Sequence, residues 1–271
     1  MPAPGNTAAV RDRAAGGEPR LARRLSSQVV AVTTYDRGDP TDCEVIDRWP
    51  GGVGWLAHPG EDGRRASHAV VGEEGGVWVI DPLDAPGVDE VLATLGEVTG
   101  VVVCSNYHVR DAAALAARHD VSVHVPRWLS RATDRLRAST REASAVRVDG
   151  VVGSSGLRVR RCAPLPGWSE AVARRESDGT LYVPDVLGTA PLFTVGDERL
   201  GTYLLCRLSP PRDVLGGLSP ERVLVGHGTG VLDDAAAALD DALAGARRRL
   251  PAALRANGRG GLRALVDALG A

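Results

Sequence analysis

The chain has 271 residues, 44% of them apolar, enough to bury a full core in one large domain or two fused halves. A net charge of −2 argues against a polyanionic partner, so no nucleic acid is expected, and all the basic residues are arginine, which reads as the bias of a GC-rich prokaryotic genome. No apolar run approaches the ~20 residues that span a membrane and no apolar segment follows the N-terminal arginines, so a cytoplasmic protein without membrane association is expected. Cys43, Cys104, Cys162 and Cys206 are scattered without a C-x-x-C pair, as reduced and mostly buried thiols would be.

Residues 1–27, rich in Ala, Gly, Pro and Arg, lack periodicity and are expected to be a disordered tail before a single domain over 28–271. Strand-like runs follow at Val29–Thr34, Glu44–Trp49, Val53–His58, Ser67–Val71 and Val77–Asp81, each bounded by Gly, Pro or Asp, which suggests a meandering sheet. Asp84 and Pro86 open a helix predicted to run to about Val98, with Val88, Val91, Leu92 and Leu95 on one face. The strand Val101–Ser105, an alanine-rich helix from Arg110 to Arg118 and the strand Val121–Val125 then form a strand–helix–strand unit. Asn106, His108, Arg110 and Asp111 lie at the carboxyl end of its first strand, the rim where an α/β sheet places its chemistry.

A helix from Trp128 to about Ser139 leads to strands at Ala145–Val148 and Leu157–Arg160, then to Pro166-Gly167-Trp168-Ser169 and the strand Ala171–Arg175. The turn Ser177-Asp178-Gly179 joins it to Leu181–Asp185. A last apolar strand from Arg222 ends in Gly226-His227-Gly228, whose paired glycines suggest a close approach to the backbone. Helices are predicted at Val231–Arg249 and Leu262–Leu269, the first with Asp233 and Asp234 at its start and Arg247–Arg249 at its end, matching the helix dipole.

The order of these landmarks over most of the chain resembles the metallo-β-lactamase superfamily, which implies a mixed α/β (α+β) fold, a four-layer αββα sandwich. That family's H-x-H-x-D-H motif aligns with Asn106 to Asp111, its P-G-H turn with Trp168, its metal-bridging aspartate with Asp185 and its last histidine with His227. Asp81, ending an apolar strand, falls where the family has an aspartate supporting the metal-binding loop, and it can equally cap the turn at Pro82. The resemblance implies His108, Asp111, Asp185 and His227 as metal ligands, with Asp111 and Asp185 also catalytic. Asn106, Arg110 and Trp168 replace family ligands, so a dinuclear centre, which needs about six or seven His and carboxylate donors, is not expected.

Arg110 puts a permanent cation where the family has a carboxylate, and placed between Asp111 and Asp185 it would neutralise them as a metal would. Three readings stay open. One is a hydrolase of an ester, lactone, thioester or phosphodiester with a single zinc, manganese or iron ion. Another is a metal-free protein that binds a small-molecule ligand or partner beside Arg110. In the third, His108 and His227 are hydrogen-bonded core residues and Trp168 fills the pocket. His58, His68, His119 and His124 read as surface or satisfied histidines, and Ser105 and Ser169 lack a nucleophile's G-x-S-x-G setting.

Overall fold

The computed structural model describes residues 34–139 and 144–269. The expected tail at 1–27 and nearly all of the strand expected at Val29–Thr34 lie outside them. A seven-stranded sheet is built from β1 (Glu44–Trp49), β2 (Gly52–Leu56), β3 (Ala66–Val71), β4 (Val77–Ile80), β5 (Val98–Val102), β6 (Val123–Pro126) and β7 (Ala145–Val148) in that spatial order. The first four strands form the expected antiparallel meander, and β4 to β7 run parallel. The parallel steps require crossovers, supplied by α1 (Val88–Ala93), α2 (Ala112–Arg118) and α3 (Ser130–Ala138).

The second sheet holds β8 (Arg158–Cys162), β9 (Glu170–Arg175), β10 (Thr180–Val183) and β13 (Arg222–Val225), in the order β13-β10-β9-β8. A two-stranded ribbon, β11 (Leu187–Gly188) with β12 (Gly201–Thr202), and the short α4 (Arg212–Leu215) intervene, and α5 (Ala235–Leu269) follows. Side-chain alternation divides this sheet between two cores. Ala171, Ala173, Tyr182 and Leu224 face the first sheet and its helices, whereas Val172, Leu181, Val183, Val223 and Val225 pack with Leu239, Ala242 and other α5 residues. The layers are therefore helix, sheet, sheet, helix.

Several boundaries differ from the sequence expectation, and those of two helices differ most. α1 stops at Ala93 because Gly96, at φ +141, turns the chain into β5, which starts at Val98. The last helix begins at Ala235 rather than Val231, since Val231 pairs its backbone with Val223 through two hydrogen bonds. It then continues through Pro251 to Leu269 as one helix where two were expected. The four cysteines are unpaired. No helix among the described residues is long and apolar enough to cross a membrane.

Candidate metal centre

Both sheets direct strand ends into one cleft. Asp81 follows β4 and adopts φ +48, a left-handed conformation that turns its carboxylate back under the loop after β5. There Asp81 Oδ1 accepts from the Cys104 amide at 2.7 Å, and Oδ2 accepts from the Tyr182 hydroxyl at 2.6 Å and from His108 Nδ1 at 3.0 Å. The aspartate thus ties β4, β5 and β10 together and fixes His108 with Nε2 pointing into the cleft. Pro184, which cannot extend a ladder, ends β10 and leaves Asp185 on the rim.

Asp185 Oδ1 lies 2.9 Å from His108 Nε2 and 3.2 Å from His227 Nε2, while Oδ2 accepts from the Ser105 hydroxyl at 2.5 Å. His227 Nδ1 is 2.7 Å from the Gly63 carbonyl, which can only accept, so Nδ1 carries the proton and Nε2 presents its lone pair to Asp185. One ligand atom each of His108, Asp185 and His227 lies within 4.8 Å of the others. Two imidazole nitrogens and a carboxylate oxygen converging this way need a cation between them, either a proton or a metal ion.

The electrostatics express the same demand. Burial alone would raise the Asp185 carboxyl, but His108 and His227 hold it well below the usual range. Burial and Arg110 oppose a charge on His108, and the carboxylates of Asp185 and Asp81 overcome them and raise it. Burial lowers His227 despite Asp185. The side chain of Asp185 keeps 14% of its surface exposed, leaving the cluster reachable from one side.

Arg110 departs from expectation. Its guanidinium does not bridge Asp111 and Asp185; it donates to the carbonyls of Ala66 at 2.6 Å, Asp81 at 2.9 Å and Gly226 at 3.4 Å, and its Nη2 approaches His108 Nε2 at 3.1 Å. It links the ends of both sheets by charge-assisted bonds and competes for one of the three converging lone pairs. Asp111 stands apart from the cluster: its Oδ2 accepts from the Asp84 amide at 2.9 Å, at the start of α2. The short link from His108 to the helix, with Arg110 at φ +42, carries its carboxylate to that turn.

Asn106 Oδ1 accepts from the Ala132 amide at 3.2 Å, and Trp168 donates to Glu170 Oε2 at 3.0 Å with its ring 5.3 Å from Tyr203. Both side chains have structural partners. Sequence reasoning missed four contributors. Ser105 orients Asp185, and its position at the end of β5 was the available signal. Glu170 is buried, and burial together with Asp185 raises its carboxyl well above the usual range. Phe193 stacks on His227 at 5.3 Å, and Tyr35 sits 6.1 Å from the same ring. Nothing local in the sequence marks these three.

No family model and no curated protein matches the chain. Solved structures do match the architecture. A diflavin flavoprotein A 5 fragment from Nostoc sp. PCC 7120 aligns at a TM-score of 0.54 and 15% identity, over 78% of this chain and 99% of its own. The metallo-β-lactamase from Pontibacter korlensis aligns at 0.53 and 14% identity, over 76% and 99%. The chain has the metallo-β-lactamase fold. DIM-1 metallo-β-lactamase adds a third match, at a TM-score of 0.51 and 12% identity over 78% of this chain and 99% of that one. At such identities the likeness shows the metallo-β-lactamase fold alone.

Proposed function

We propose that this chain is a hydrolase dependent on a single divalent ion, held by His108, Asp185 and His227. The observation that supports it is the convergence of His108 Nε2, His227 Nε2 and Asp185 Oδ1 within 4.8 Å, with Nδ1 of each ring held from behind, by Asp81 and by Gly63 O. Three protein donors with an open fourth position is the ligand arrangement of catalytic rather than structural sites. When bound, a divalent ion supplies Lewis acidity to a carbonyl or phosphoryl oxygen.

The rest is the work of the chain's own residues. Ser105 holds Asp185 Oδ2 so that Oδ1 faces the two histidines. Phe193 and Tyr35 screen His227 from water, and Tyr203 packs on Phe193 at 5.7 Å to support that wall. Esters, lactones, thioesters and phosphodiesters all fit a small electrophile delivered to this cleft. Elemental mass spectrometry after incubation with zinc, manganese or iron tests the reading. About one tight ion per chain is expected, lost in His227→Ala, followed by hydrolysis in a screen of those four classes. An unchanged ion content in His227→Ala rejects this ligand set.

A second reading, a metal-free cleft that binds a small ligand, is favoured by Arg110 Nη2 at 3.1 Å from His108 Nε2. Absence of any retained ion selects this reading.

A further inference from the structure

Away from the cleft, the outer face of β8 and β9 carries a groove with a cavity volume of about 270 Å³. Its floor is apolar, formed by Val172, Leu181, Val214 and Leu218. Its rim carries three exposed arginines, Arg158, Arg160 and Arg174. The strand register explains the grouping: Arg158 lies directly opposite Arg174, Arg174 opposite Leu181, and Arg160 opposite Val172, so all five side chains share one face. Arg174 is four residues along β9 from Glu170, about 13 Å from the cleft end of that strand.

Two features of this rim call for an anion. Like charges directly opposite on neighbouring strands destabilise a sheet, and the nearby carboxylate of Glu176 reaches only Arg174, at 3.5 Å. Several arginines elsewhere are matched to carboxylates: Arg118 to Asp84 and Asp89, Arg175 and Arg222 to Asp178, Arg207 to Glu198. Among the described residues, the guanidinium of neither Arg158 nor Arg160 forms an ion pair or hydrogen bond. Charge on the edge strand β8 would by itself discourage edge pairing, but that purpose needs neither a third arginine on the inner strand β9 nor an apolar floor.

We propose that this groove binds a small amphipathic anion, a carboxylate head on a short aliphatic body. The planar guanidinium forks of Arg158 and Arg174 match a carboxylate, and Val172, Leu181, Val214 and Leu218 receive the chain. The volume lies just under the usual ~300–1,000 Å³ of small-molecule pockets, so the body is of fragment size.

Titration of methyl-labelled protein with octanoate tests this by NMR. Saturable shifts are expected at the Val172, Leu181, Val214 and Leu218 methyls, with octanol and inorganic phosphate each binding at least about tenfold more weakly. Arg158→Gln and Arg174→Gln should each weaken octanoate by about tenfold without lowering the melting temperature. Leu218→Trp, which fills the floor and leaves the arginines in place, should abolish the shifts. His227→Ala should bind octanoate as the parent does, which separates this site from the cleft. Equal binding of octanol or phosphate, shifts confined to the cleft, or indifference to the arginine substitutions would overturn the proposal.

Discussion

The two sheets meet at one cleft, and their rims use polar residues differently. On the rim of the seven-stranded sheet, Asp81, Arg110 and Asn106 each hold backbone groups, an amide, three carbonyls and a helix amide, and Asp81 and Arg110 also reach His108. On the rim of the four-stranded sheet, Asp185 and His227 direct acceptor atoms at each other and at His108, with few donors to satisfy them. One rim works as a brace and the other as the proposed ligand set, and His108 belongs to both.

That contrast can be broken at several points. The largest effect is expected for Asp185→Asn, which removes the anionic acceptor shared by both imidazoles. Zinc bound per chain, read by elemental mass spectrometry, should fall from about one equivalent to none detectable. Retention of zinc in this variant would remove the second rim from the ligand set.

Arg110→Ala tests the brace. Leaving the carbonyls of Ala66, Asp81 and Gly226 without their donor should cost about 3 kcal/mol in urea unfolding. The same substitution frees His108 Nε2 and removes a cation 3.1 Å away, so zinc affinity should rise about tenfold in a competition titration. Lower stability with tighter zinc is a combination that a purely catalytic or purely structural Arg110 would not give. Unchanged unfolding would dissolve the distinction between the rims.

Smaller effects sharpen it. Asp81→Asn retains the shape but not the charge behind His108, and zinc affinity should drop by ~10–100-fold, measured by the same titration. Asp111→Ala should leave zinc content unchanged and cost about 1 kcal/mol, the loss of one bond to the Asp84 amide. A loss of zinc there would restore Asp111 to the ligand set that the family resemblance implies.

Much of the fold was legible from local pattern. Apolar runs marked β9, β10 and β13 as strands, and paired glycines and Asp-Gly turns marked their ends. Helix ends were less legible, since Val231 pairs with Val223 and Gly258–Gly261 does not interrupt α5. At the site, Asp81, Asp185 and His227 were indicated by the family resemblance together with the apolar strand that each follows. Arg110 and Asp111 could not be placed in this way. Their partners, Ala66 O, Gly226 O and the Asp84 amide, lie 44, 116 and 27 residues away in sequence.

The sequence by itself determined the order of strands and helices and the strand ends at which acids and histidines emerge, because these follow from side-chain period and chain stiffness at each residue. Only the tertiary structure decided that Arg110 braces carbonyls instead of pairing carboxylates, that Asp111 turns to Asp84, and that Ser105 and Glu170 join the cleft. Those outcomes depend on which backbone groups from distant segments arrive within hydrogen-bonding reach, a property of packing that no local pattern encodes.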